Sequence, residues 1–176
     1  MRNATDLMVQ YAEYHRDRRN IATHFIGIPL ISFAVGALLA RPAFELGGIT
    51  WTPSGVVFLL AAIWYFTRGQ FGLALATVIV NGLLFALGHR VAELPTATWL
   101  TVSVGAFVVG WVFQFVGHYY EGRKPAFVDD LVGLMVGPMF VVGEWLFALG
   151  WNKPLLAEIE RRAGPTHLRD LTRPAA

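Results

Sequence analysis

Five apolar stretches, residues 21–40, 51–66, 71–88, 97–120 and 131–151, constrain this chain more than anything else in it. A helix needs about 20 apolar residues to cross a bilayer core. Four of the stretches meet or approach that length, and the second is shorter, with Pro53 suited to a first helical turn. The connections are brief and hold turn formers: Arg41-Pro42, Gly47-Gly48, Arg68-Gly69 and Glu93-Leu94-Pro95. Composition agrees, with 55% hydrophobic and 15% charged residues, where soluble domains carry about 25% charged. The expected fold is therefore all-α. It is a polytopic membrane bundle of four to five apolar segments, some re-entrant, in a single domain over residues 1–176. Residues 1–20 are expected to form an amphipathic interfacial helix, and residues 152–176 a polar tail with a surface helix and a frayed end.

The first twenty residues hold Arg2, Arg16, Arg18 and Arg19 and lack the apolar core of a signal peptide. Basic residues then orient the spans. With five full crossings they divide evenly, seven against seven. If the fifth segment does not cross, the division is twelve against two. Gly137-Pro138 and the mid-run Glu144 suit a broken segment packed on protein, so the expectation is four spans and a re-entrant fifth. The absence of Cys excludes disulfides, thiolate metal sites and cysteine catalysis. A net charge of +2 is too balanced to suggest a nucleic-acid partner.

The candidate chemistry lies in polar groups that apolar segments rarely tolerate. Four of the five His stand at or near those segments: His15, His24, His89 and His118. His167, in the polar tail, reads as a solvated side chain. His15 ends a helix over roughly residues 4–19, on one face with Leu7 and Tyr11. His24 opens the first long stretch, one turn after Asn20, whose side chain is suited to hydrogen-bond one imidazole nitrogen and free the other for a metal. His15 and His24 would point about 180° apart on one straight helix; they converge only if the chain turns, and Arg19-Asn20 is a suitable break. His118 ends a stripe of Ser103, Phe107, Gly110 and Gln114 that should face the bundle interior, and Glu121 continues that face. Glu144 shares a face with Gly133, Gly137 and Phe140, and wants a metal, a His or an Arg. Packing stripes, interfacial caps and an ion pair are the alternative readings of these groups. The charge cluster from Glu121 to Asp130 is either a solvated loop or a clamp for carboxylates, with Arg123 and Lys124 as its cations. Several His and a Glu without Cys suit non-haem iron, zinc or manganese.

These residues carry a resemblance. Tyr11-x-x-Tyr14-His15-x4-Asn20-x3-His24-x-Ile26-Gly27-Ile28-Pro29, then Gly88-His89-Arg90, then Trp111-Val112-Phe113-Gln114-Phe115-Val116-Gly117-His118 with Glu121-x-Arg123-Lys124-Pro125-x3-Asp129-Asp130-Leu131, and finally Pro138-x-Phe140-x3-Glu144 follow one another along the chain. In order and spacing they resemble the membrane 2-hydroxy fatty acid dioxygenases typified by the yeast protein that turns phytosphingosine into odd-numbered fatty acids. Asp130 departs from the pattern, standing where Asn is common. The resemblance implies an Fe(II)-dependent dioxygenase that uses O2 to shorten 2-hydroxy fatty acids by one carbon, in the cytoplasmic membrane of a bacterium or the endoplasmic reticulum of a eukaryote. It implies His15, His24, His89 and His118 as the metal ligands and catalytic centre.

On that basis Arg123 or Lys124 would hold the substrate carboxylate. The acyl chain would lie along Phe107, Trp111 and Phe115. Asn20, Gln114, Glu121 and Glu144 would support the ligands. Two rival classes use the same residues: a His-rich membrane zinc hydrolase with Glu121 or Glu144 as base, and a non-catalytic haem- or lipid-binding membrane protein. One conflict is internal to the sequence. If residues 51–66 and 71–88 both cross, His89 lies about 30 Å from the other three. A shallow hairpin in place of those two crossings would bring it back, and is the expectation that keeps all four His on one iron.

Overall fold

The computed structural model describes residues 2–125 and 132–172. Its elements are α1 (Ala4–Ala12), α2 (Arg18–Leu38), β1 (Phe44–Leu46), β2 (Ile49–Trp51), α3 (Pro53–Phe66), α4 (Phe71–Ala92), α5 (Thr96–Glu121), α6 (Val132–Ala148) and α7 (Lys153–Ala163). Helix starts follow side-chain chemistry. Asn3, Asp17, Thr52 and Asn152 each accept a hydrogen bond from a backbone N–H in the first turn that follows, and Pro53 occupies the first turn of α3. The Gly47-Gly48 pair, both at positive φ, closes the small β1–β2 ribbon.

Three helices, α2, α4 and α5, are long and apolar enough to cross a membrane. Their polarity is inside out. Leu60, Leu83, Val108 and Val112 face outward, whereas Asn20, Thr77, Ser103 and Gln114 are buried. This is the pattern of helices in lipid, where small and polar residues make the contacts between helices. The α2–α5 contact is the most extensive in the bundle. It rests on Gly27, Gly110 and Gly117: a Cβ on Gly110 would stand 2.7 Å from the Ile31 side chain and 2.9 Å from the Gly27 carbonyl.

The bundle has two distinct ends. At one, α2 finishes near the start of α3, where Ser54 N–H donates to the Leu39 carbonyl, and Arg41 reaches across to the Ala92 carbonyl after α4. At the other lie α1, the start of α2, the α3–α4 turn and the end of α5; there Ala4 N–H donates to the Arg68 carbonyl. The short α3 thus runs between the ends, about 21 Å at 1.5 Å per residue, and α4 runs back. The fifth apolar segment folds as α6, which runs unbroken through Gly137-Pro138, and its bend falls after Ala148 instead. Leu134 and Pro138 line the bundle interior, Glu144 returns to Arg16 at the end that α5 left, and α6 meets α7 at 118°. The basic residues Arg16, Arg18, Arg19, Arg68, Arg123 and Arg162 gather at that end.

The first twenty residues differ from expectation. α1 stops at Ala12, and its Leu7, Met8 and Ala12 are buried with α6 and α7 in the core. The break falls at residues 13–17, ahead of Arg19-Asn20. Asp17 caps α2, so Arg19 and Asn20 already belong to its first turn.

Gly110→Val should push α2 and α5 apart at a cost of about 2 kcal/mol, the scale of overpacking a tight contact. Gly105→Val, on the same helix with open space around it, should change the thermal unfolding midpoint in detergent little. Equal effects would show that the glycine contact is not what seats α5.

Candidate metal centre

Three imidazoles meet where α1, α2 and α5 come together. His15 stands on the turn between α1 and α2, His24 two turns into α2, and His118 one turn before the end of α5. Each offers a ring nitrogen, and these nitrogens lie within 4.8 Å of one another. All three residues are buried. The rings pack edge to face, with centroids 4.5, 4.9 and 5.2 Å apart.

The hydrogen bonds fix which nitrogens are available. His15 Nδ1 lies 2.6 Å from the Tyr11 carbonyl, and His24 Nδ1 lies 2.9 Å from the Asn20 carbonyl. A carbonyl only accepts, so both Nδ1 atoms carry the proton and both Nε2 atoms carry a lone pair. Those two lone pairs face one another at 3.1 Å. With no cation between them the arrangement is repulsive. Two nitrogens bound at right angles to one ion at about 2.1 Å stand roughly 3 Å apart, so the spacing fits a shared metal. Burial, and then the charge that His24 or His118 would add, holds His15 well below the usual imidazole range. It is neutral at pH 7, as a ligand must be. The His118 Nδ1 has no hydrogen-bond partner among the described residues, a further buried lone pair or N–H at the same place.

Surrounding groups hold the three in register. Gly117 lets α5 approach α2 beside His24; a Cβ there would meet the Thr23 hydroxyl at 2.3 Å and Asn20 Oδ1 at 2.4 Å. Glu121, one turn beyond His118, grips the His15 turn. Its carboxylate accepts from Arg16 N–H (3.0 Å), Asp17 N–H (2.9 Å) and Asn20 Nδ2 (2.9 Å). Asn20 therefore supports His24 through its backbone, not through its side chain as expected. The Tyr11 ring stacks on His15 at 4.0 Å and 3°; burial pushes its hydroxyl above the ordinary phenol range, so it stays protonated. Gln114 lines the cavity beside His118. Glu144 finds the Arg that one reading of it required: Arg16, at 4.0 Å. At the rim Arg123 donates to the Glu13 carbonyl at 2.9 Å, and Lys124 is exposed beside it. Asp129, Asp130 and Leu131 lie outside the described residues.

His89 is not brought to this centre. Its Nδ1 bonds the Phe85 carbonyl at 3.0 Å and its Nε2 lies 3.4 Å from the Thr52 hydroxyl, at the opposite end of the bundle. The shallow hairpin that would have returned it does not form, because α4 continues unbroken through 22 residues.

Two features were not anticipated. The tail does not fray directly after α7. Residues beyond it run back over the His15 turn: His167 N–H donates to the Arg16 carbonyl, and Arg18 N–H to the His167 carbonyl, both at 2.9 Å. The His167 side chain is exposed, as expected. Asp17 is the anchor of this strap. It accepts from the Arg169 N–H at 2.7 Å and from the backbone N–H, Nε and Nη2 of Arg19. Against the upward pull of burial, these bonds bring its pKa from 3.8 to about 2. An Asp among three Arg reads in sequence as surface charge, so nothing marked it beforehand.

The geometry also bears on the rival chemistries. Both Glu121 oxygens are committed to N–H donors, which leaves it poorly placed as a hydrolytic base. A haem would need two axial nitrogens about 4 Å apart with its plane between them, and three imidazoles this close leave no space for the macrocycle.

A family model described as 2-hydroxy-palmitic acid dioxygenase Mpo1-like matches residues 1–149. The chain is 35% identical over 155 residues to the 2-hydroxy-palmitic acid dioxygenase MPO1 of Saccharomyces cerevisiae, a match covering 85% of this chain and 83% of the yeast protein. No solved structure matches it.

Glu121→Ala keeps all three imidazoles but frees the turn that carries His15. Metal affinity, read by equilibrium dialysis with Fe(II) or Co(II), should fall roughly 10- to 100-fold; unchanged affinity would leave Glu121 with no part in the site. Asp17→Asn should lower stability at neutral pH by about 2 kcal/mol. A depressed carboxylate pKa contributes stability above its unfolded value of 3.8 and loses it as pH falls through about 2. The gap between variant and wild type, followed by thermal melts from pH 7 downward, should therefore close below that point.

Proposed function

The chain belongs to the Mpo1-like family of 2-hydroxy-palmitic acid dioxygenases, and on that premise we propose that it is an Fe(II)-dependent dioxygenase that performs α-oxidation of 2-hydroxy fatty acids. The reaction balances as 2-hydroxy acid plus O2 giving a fatty acid one carbon shorter, carbon dioxide and water. The observation that carries the reading is the pair of His15 and His24 Nε2 lone pairs facing each other at 3.1 Å, with His118 alongside. His15, His24 and His118 would hold the metal and leave coordination positions open. Bound iron would supply the one-electron chemistry that O2 requires. The donor set alone suits zinc as well; the family favours iron.

The remaining work falls to the protein. The Tyr11 and Asn20 carbonyls keep both imidazoles in the tautomer that presents Nε2. Arg123 and Lys124 stand at the rim next to Pro125, which lines the cavity with His118. They draw in the substrate carboxylate, and their loss acts on capture before chemistry. The acyl tail leaves the His118 end along Trp111 and Phe107, which line the apolar interior. Phe115, also expected on that path, is exposed on the outer face of α5, so it touches lipid. Apolar walls keep bulk water from the reacting carbon, while the polar end of the substrate stays at the basic face of the membrane.

The test is metal content together with O2 uptake on 2-hydroxypalmitate. His15→Ala, His24→Ala or His118→Ala should each lose most of the iron and at least 100-fold in activity. His167→Ala and His89→Ala should retain stoichiometric iron. Full iron occupancy in His118→Ala, or zinc in the active protein, would overturn the assignment.

A further inference from the structure

Two cavities meet inside the bundle. The one beside Tyr11 and His118 adjoins a larger apolar cavity of ≈ 330 Å³, with Ile31, Ser32, Trp111, Leu134 and Pro138 in the walls of both, and side-chain motion at that shared wall would join them into one passage. The passage follows α5 from His118 to Phe107. That is eleven residues, or roughly 16 Å of helix rise, comparable to an extended alkyl chain of about a dozen carbons. Its walls are apolar almost throughout.

The far end has a definite closure. Phe58 of α3 and Phe85 of α4 stand with ring centroids 5.6 Å apart. Both line the apolar cavity, and both also line a separate pocket on the other side that holds His89, Arg90 and Glu93. The two rings thus stand in the wall between the apolar cavity and a pocket at the opposite end of the bundle whose rim carries His89, Arg90 and Glu93. Phe85 is wedged against α2, since a Cβ on Gly36 would lie 3.0 Å from its Cα. Phe58 meets the smaller Gly82, where a Cβ would lie 3.2 Å from its ring, and is the easier of the two to replace.

We propose that the Phe58–Phe85 pair is the stop that sets the longest acyl chain the enzyme accepts, an assignment that rests on the 2-hydroxy fatty acid reading above. A tail entering from the His118 end runs to the two rings and ends there. Chains that fit gain burial with each methylene; longer ones must bend or leave the polar end displaced from the three imidazoles.

The experiment uses a series of saturated 2-hydroxy fatty acids in two-carbon steps. Phe58→Ala should raise kcat/KM for the first acid beyond the wild-type optimum, relative to the optimum itself, by about tenfold, the scale of two methylenes transferred out of water. Phe58→Trp should move the preference the other way, toward shorter chains. Opposite shifts from the two variants separate length selection from simple loss of folding. The same series is then read without turnover, as displacement of a fluorescent fatty acid from metal-free protein. If wild type binds the acids but consumes no O2 when loaded with iron, the dioxygenase reading fails while the binding profiles still decide the stop. If both Phe58 variants keep the wild-type length profile in binding and turnover, the stop is overturned.

Discussion

The close approach of α2 and α5 is the constraint on which the rest of the molecule depends. Neither helix gains hydrophobic energy by leaving lipid for the other, so their association rests on packing and polar contacts. Gly27, Gly110 and Gly117 provide the packing. Without a side chain at Gly117, His24 and His118 can sit at one level on adjoining helices; with one, Thr23 and Asn20 would be displaced. The third imidazole belongs to neither helix. It is delivered by a turn, and turns are positioned by hydrogen bonds more than by packing. Glu121 supplies these from the end of α5, accepting from the backbone of the very turn that carries His15. One helix contact and one carboxylate thus bring together three imidazoles from three places in the sequence.

Placing such a centre at the membrane's basic face has a chemical logic. Burial holds the His15 imidazole neutral. Each nearby cation is engaged by another group: Arg16 bonds the Ala12 and His15 carbonyls and faces Glu144, Arg19 pairs with Asp17, and Arg123 donates to the Glu13 carbonyl at the rim. The cavity beside His118 is walled mostly by apolar side chains, among them Ile28, Ile31, Trp111 and Leu134.

What could be read from the chain beforehand follows from physical cost. An ionisable group in an apolar run is expensive, so His24, His118 and Glu144 announced themselves by being there at all, and the small-polar stripe of α5 showed which way it faced. The exact turn before α2 was less accessible. Arg19-Asn20 and Asp17 are equally plausible places to break a helix by local preference, and the choice is made by contacts distant in sequence: Glu121 pulling on the backbone at residues 16 and 17, and Arg169 joining Asp17. The role of Asn20 was misjudged for the same reason. Local spacing puts its side chain near His24, but Glu121 engages that side chain and leaves the carbonyl to the imidazole. Phe115 lies one position after Gln114, so it turns away from the interior by the ordinary 100° step of a helix.

His89 shows the difference between a residue that marks a family and one that belongs to a site. Gly88-His89-Arg90 sits where α4 passes the end of α2, and a Cβ on Gly88 would come within 2.6 Å of the Ala37 backbone nitrogen. The glycine is required there by helix contact. His89 joins the same junction by bonding back to its own helix and reaching toward Thr52, the cap of α3. Arg90 pairs with Glu93 at the surface. Each residue of the block therefore has structural work at the far end of the bundle. A single ion needs donors within a few ångströms, whereas α4 carries His89 the length of a crossing from the other three. Sequence order offers no such distance test. Of four histidines that look alike in the sequence, three form a donor set and the fourth helps fasten the opposite end.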